Sequence, residues 1–241
     1  MPIAGFVLAA LLLAALVLPL GALLVTGAAD LASGLQSPLV GPALQLSLAT
    51  SVVSLLVVLV CGTPLAWGLA QRPIGWLEAL VRLPMVVPPA VAGVALLMAF
   101  GRSGVLGTSL TFTTAAVVLA QVFVAAPFYV QAAIEAFRAV DDDLLAVAQS
   151  LGAWPPRRFF AVALPIAAPG LVSGAAMCWA RALGEFGATL MFAGNLPGTT
   201  QTMPLAIYTA MSSDMAAARA MSVVLMVVAF TLLLGLRWRS R

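Results

Sequence analysis

Residues 141–165, DDDLLAVAQSLGAWPPRRFFAVALP, form the one long polar interruption in a chain that otherwise reads as lipid-soluble helix. Asp141, Asp142 and Asp143 open it. Three carboxylates suit a helix N-terminus, which welcomes negative charge and whose free backbone N–H groups need caps. Leu144, Val147, Ala148 and Leu151 follow at i, i+3, i+4 and i+7, one apolar stripe of a short amphipathic helix. Gly152 is the residue best able to take the left-handed cap, and Pro155 and Pro156 favour a fresh helix start. Arg157 and Arg158 then supply charge, and Phe159 and Phe160 offer bulky apolar anchors. So short a segment cannot bury its own stripe. It needs a partner groove or a place flat on a membrane surface.

Outside this hairpin, composition decides the class. Of 241 residues, 63% are hydrophobic and 8% charged, against about 25% charged in a globular chain. The mean hydropathy of +1.13 agrees, and several apolar runs reach the roughly 20 residues that cross a bilayer as helix. The chain reads as an all-α polytopic membrane protein. All 11 basic residues are Arg, and His is absent, which weighs against metal centres and His-based acid/base chemistry. Cys61 and Cys178 fall inside apolar runs without a CxxC partner and read as small buried hydrophobes. The first apolar run continues past the length of a secretory signal core and reads as a retained membrane helix.

Six spans are expected. They run from about Ile3 to Thr26, Ala43 to Ala70, Leu83 to Phe100, Thr111 to Phe137, Ile166 to Phe192 and Met215 to Leu236. Between them lie a Gly/Ser/Pro-rich loop near Ala28 to Pro42, a turn-rich loop at Gly101 to Ser109, and a Gly/Pro/Thr-rich loop at Ala193 to Ser213. Span three carries Pro84, Pro88 and Pro89; lipid cannot satisfy the backbone groups that prolines free, so this span should face the bundle interior. Six crossings put both termini on one side. Arg72, Arg82, Arg138, Arg157, Arg158, Arg237, Arg239 and Arg241 fall on that side, with Arg102 opposite. The positive-inside rule therefore makes the termini and the 141–165 hairpin cytoplasmic. The expected division is 1–42 for the first helix and its loop, 43–236 for the remaining transmembrane unit, and 237–241 for a basic cytoplasmic tail.

Span five holds the most unusual side chains, Arg181 and Glu185, four apart on one helix face. A charge in the apolar core costs about 2.5–3.5 kcal/mol on insertion scales, so such groups pair and face protein or water. The pair is either a neutral staple between helices or the border of a translocation route. Gly184, Gly187 and Ala188 would admit close helix packing. Thr199, Thr200 and Thr202, in the loop that follows, could line a path or sit in a solvated turn. No G-x-x-x-x-G-K-[ST] phosphate loop occurs, so an ATP-driven process would need another subunit as its engine.

Gly152, Phe159, Val162, Leu164 and Pro165 resemble, in their spacing, the EAA loop of permease subunits in bacterial ABC importers. In that family the loop forms coupling helices that dock into a cleft of a separate ATPase. Ala146 stands at the family's glutamate position and Val147 at its first alanine, while Ala148 keeps the second. The resemblance implies coupling roles for Ala146, Val147, Ala148, Leu151, Gly152, Arg157 and Phe159. A second block, ARALGEFGATLMFAGNLPGTTQTMPLAIY at 180–208, looks like the permeases of molybdate importers; sulfate/thiosulfate permeases share its LGEFG-like core and diverge after it.

The resemblance implies a type I ABC importer permease fold in a bacterial inner membrane. It also implies a homodimer with two ATP-binding subunits, which carry the ATP and Mg, and an extracytoplasmic protein that delivers molybdate or tungstate. No cofactor is expected on this chain, no catalytic role, and no partner other than protein and membrane lipid; nucleic acid is not among them. An ion-coupled carrier would place several ionisable groups near the midplane and show paired repeats. A membrane-embedded enzyme would need a nucleophile beside a base. Neither pattern is legible here.

Overall fold

The computed structural model describes residues 3–239, among which helices dominate and no strand occurs. The elements are α1 (Ile3–Gly34), α2 (Val40–Gln71), α3 (Gly75–Val86), α4 (Pro89–Phe100), α5 (Thr114–Arg138), α6 (Asp142–Ser150) and α7 (Pro155–Arg158). A π-helical turn (Phe159–Ala163) leads into α8 (Leu164–Leu183), followed by α9 (Gly187–Ala193), α10 (Met203–Ala210) and α11 (Met215–Arg239). Four helical stretches among the described residues are long and apolar enough to cross a membrane. They are α1, α2, α5 and the run from α7 through α8.

The third expected span is not one helix. α3 and α4 meet at a bend of 115°. Pro88 has no N–H and pushes Val87 out of the helical region, to φ −71° and ψ 127°, while Pro89 suits the first position of a new helix. Twelve residues of α4 rise about 18 Å, short of the roughly 30 Å hydrocarbon core. No residue of α3 is fully buried; Leu77 and Val81 pack half-buried against the core, and Glu78 ties the helix to the end of α5 through Arg138 at 2.5 Å. Ala92, Gly93 and Leu96 of α4 are buried. The interior-facing part of the expected span is thus its second half.

The fifth expected span is also broken, after Leu183, because α8 stops at Gly184 and α9 restarts at Gly187. Two expected loops are partly helical. α1 continues through residues 28–34. There Gly27 and Gly34 leave room for α11 to approach, and Asp30 meets Arg219 at 2.6 Å. Within 193–213, α10 forms because Pro204 suits a helix's first turn and Met203, Leu205, Ala206 and Ala210 find a buried apolar seat. Arg237 and Arg239 belong to α11 rather than to a separate tail, and Arg241 lies outside the described residues.

α5 is the central post. α8 packs along it where Gly170 and Gly174, four residues apart, let Ala136 and Ala132 come in; a Cβ on either glycine would lie 2.5 or 2.7 Å from those methyls. Small residues at this spacing allow backbones to close up in lipid, where dispersion rather than water exclusion drives association. α2 packs on α5 and α8, α9 on α4, and α10 on α2 and α11. A polar seam crosses the apolar bundle along α2. Ser54 donates to Gln121 Oε1 (2.9 Å), Gln121 Nε2 donates to Thr50 (3.2 Å), and the Trp179 indole donates to Ser51 (3.0 Å). The Met203 N–H donates to Ser47 at 2.7 Å. Four helices are pinned to one register.

Candidate functional site

α6 is built by its ends. Asp141 caps it, its carboxylate accepting from the Asp143 N–H at 2.9 Å, and Asp142 and Asp143 occupy the first turn. At the other end the Ala153 N–H reaches the Ala148 carbonyl and the Gly152 N–H the Gln149 carbonyl, both at 2.9 Å. This is the paired closure that requires a left-handed residue at Gly152, whose φ is +84°. The chain then reverses through Trp154 into α7. Phe159 turns inward, its ring 5.4 Å from Trp67 and 5.8 Å from Phe137, and so fastens the hairpin to α2 and α5.

The helix presents two faces. Leu144, Val147, Ala148 and Leu151 lie about 160° around the axis from Asp142, Leu145, Ala146 and Gln149. The second set faces the end of α2, with Leu145 buried. The first set faces away from the bundle: Leu144 is 49% exposed, Val147 55% and Leu151 81%. Trp154 and Phe160, in the segment that follows, are exposed as well. Of the residues expected to couple, Val147, Ala148 and Leu151 share the outward face, with Gly152 at its end and Arg157 exposed beside it. Ala146 is exposed too, on the side of α6 that borders the cavity toward α2, Ala148 is half-buried, and Phe159 belongs to the anchor.

Arg181 and Glu185 pair at 3.2 Å, but not as neighbours on one continuous helix. Glu185 sits in the break after α8. It is 1% exposed, and its Oε1 accepts the Ala188 N–H at 2.8 Å, capping the first turn of α9. One carboxylate therefore holds two helix segments, while the Arg181 side chain remains 30% exposed. Gly194, at φ +75°, then turns the chain out of α9, and a Cβ there would strike the Phe112 ring.

The loop after α9 closes on itself. The N–H groups of Thr199, Thr200 and Gln201 all reach the Leu196 carbonyl, and the Thr200 hydroxyl accepts from the Leu196 N–H. Thr199 is exposed, with its carbonyl bound by Thr114; Thr200 and Thr202 are buried within the protomer. The three threonines do not line a common surface. Among the described residues none of them bonds to Arg181 or Glu185.

Two features escape the reading of the residues alone. Ser47, Thr50, Ser51 and Ser54 repeat at i, i+3, i+4 and i+7, a polar stripe at helical spacing within an otherwise apolar run. Asn195, Gln201 and Thr209 form a hydrogen-bonded cluster, with Asn195 Nδ2 donating to Thr209 at 2.9 Å and Gln201 Nε2 to Asn195 at 3.0 Å. No group of three or more His, Cys, Asp or Glu that could hold a metal ion occurs among the described residues.

Residues 62–237 match the family described as binding-protein-dependent transport system inner membrane component. The chain belongs to that family.

The permease is 45% identical over 208 residues to the molybdenum transport system permease ModB of Mycobacterium tuberculosis, covering 82% of this chain and 79% of that protein. It is 35% identical over 233 residues to the molybdate/tungstate transport system permease WtpB of Thermococcus kodakarensis, covering 94% and 91%. Among solved structures, an inward-facing MetNI methionine ABC transporter chain superposes with a TM-score of 0.70 at 21% identity, over 84% of this chain and 95% of that one. At that identity the likeness establishes the fold. The permease is an all-helical, multi-pass membrane protein.

Proposed function

We propose that this permease is the membrane subunit of an ATP-driven importer that carries molybdate, with tungstate as a second substrate. Relatives named for molybdenum or molybdate/tungstate transport support the substrate class. The observation that carries the coupling is the outward face of α6, an apolar patch on a capped helix that none of the described residues covers. A separate ATPase docks there, on the cytoplasmic side, and supplies ATP hydrolysis that this chain does not perform. Both termini share that side, α3–α4 and α11 complete six crossings, and a second copy of the chain encloses the path.

The helix breaks at Val87–Pro88 and Gly184–Phe186 support a reading of alternating access, since short segments there can re-angle without unwinding a full span. Glu185 holds one of these breaks together with Arg181 and the Ala188 N–H. An extracytoplasmic binding protein selects the oxyanion, so the path itself need only pass a tetrahedral dianion without trapping it. The test is uptake of labelled molybdate into liposomes holding the permease, its ATPase and the binding protein. ATP-dependent uptake suppressed by tungstate but not by equal sulfate is expected. Sulfate competition equal to tungstate would move the permease to the sulfate class, and accumulation by the permease alone without ATP would overturn the proposal.

A further inference from the structure

We propose that the cavity between α6 and the end of α2 binds a phosphate–ammonium zwitterion, the headgroup of a phospholipid such as phosphatidylethanolamine. The phosphate sits on Arg158 and the ammonium faces Asp142. The cavity measures about 320 Å³ and is walled by Trp67 and Gln71 of α2, Asp142, Ala146 and Gln149 of α6, and Arg158 of α7. That volume falls at the lower end of small-ligand sites.

Its lining holds one full cation and one full anion that do not meet. Arg158 Nη1 donates to Gln149 Oε1 at 2.8 Å, its Nε is buried without a hydrogen-bond partner, and no ion pair joins it to Asp142. A buried donor left unmade is costly, and a guanidinium fork matches phosphate oxygens. A guest with both charges satisfies both walls at once. A bare dianion, the transported oxyanion included, would gain on Arg158 and lose against Asp142.

Depth in the membrane argues for the lipid. The cavity lies at the last turn of α2, where Trp67 and Gln71 line it, and α2 is long and apolar enough to cross a membrane, so its end falls at the level of lipid headgroups, where tryptophan collects. The lining residues of α6 are on the face opposite Val147 and Leu151, so a guest there sits behind the docking patch and does not compete for it. It would brace α6 against α2.

Native mass spectrometry of the permease–ATPase complex, carried through equal mixtures of phosphatidylethanolamine and phosphatidylglycerol, tests this directly. Wild-type complex should retain phosphatidylethanolamine preferentially. Arg158→Gln should lower retention about tenfold, the worth of one charge-assisted hydrogen bond, and Ala146→Trp, which fills the cavity, should lower it at least as far. Asp142→Asn, which keeps Arg158, should erase the preference over phosphatidylglycerol and serves if Arg158→Gln fails to fold. Displacement by soluble glycerophosphoethanolamine would show that the headgroup alone is read; resistance to it would show that the acyl chains contribute. Equal retention of both lipids by wild type, or preference unchanged in Ala146→Trp and Asp142→Asn, would overturn the proposal. So would a photocrosslinker at position 146 that captures the ATPase instead of lipid. ATPase affinity, measured in the same samples, separates failure here from failure of the docking itself.

Discussion

Leu151→Ala is the sharpest perturbation of the docking face. Leu151 is 81% exposed in the permease, so its side chain contributes little to the fold and nearly all of its apolar surface is available to a partner. Truncation removes three carbons, and at about 0.8 kcal/mol per buried methylene, scaled by that exposure, docking should weaken by about 2 kcal/mol. That is roughly 30-fold in Kd. Stability of the permease itself should change by no more than about 0.5 kcal/mol, as for an ordinary surface substitution. Leu145→Ala is the control, since Leu145 is buried on the inward face of the same helix and should cost about 2–5 kcal/mol of stability. The assay is titration of the purified ATPase subunit onto permease in nanodiscs, with thermal melting of each variant alongside. Unchanged affinity in Leu151→Ala, with the permease intact, would refute the assignment of this face to the ATPase.

Gly152→Ala places a Cβ that meets nothing within 4 Å, so its cost of about 1–2 kcal/mol is backbone strain at φ +84°. Molybdate moved per ATP should fall, and an unaltered ratio would argue that the turn is incidental to coupling. Glu185→Gln keeps an acceptor for the Ala188 N–H but strands Arg181. With Arg181 30% exposed, the loss should be about 1–3 kcal/mol, read as less assembled permease and slower uptake. Wild-type yield and uptake would make the pair dispensable. Gly93→Val would push a Cβ to 2.6 Å from Met191 Cβ and 2.9 Å from the Ala188 carbonyl, prising α4 from α9. A thermal shift equivalent to about 1–3 kcal/mol should follow, and an unshifted melt would contradict that packing.

The helices and their membrane class were legible because hydrophobic runs and helix caps are local signals. Asp141, Gly152 and the prolines at 155 and 156 mark the hairpin by their own chemistry, and the i, i+3, i+4, i+7 stripe already implied an uncovered face. What was hidden is tertiary. Nothing in the letters near Glu185 says that its carboxylate would cap α9 instead of extending α8, because a Leu-Gly-Glu-Phe-Gly run is compatible with both. Residues 28–34 carry Asp30 and look like a loop until Arg219, far along the chain, supplies its partner. Ala146 and Phe159 sit in the right segment, yet which face each takes depends on α2, α5 and the π-helical turn. Thr200 and Thr202 were polar and near a charged pair in sequence, but the loop folds them inward.

Cysteine cross-linking at Val147 tests the central claim most directly. With Cys61 and Cys178 replaced by serine, a lone cysteine at position 147 should form an adduct with the ATPase subunit in intact cells and remain untouched by an impermeant thiol reagent added outside. Labelling from outside, or no adduct with the ATPase while uptake continues at its normal rate, would contradict the account.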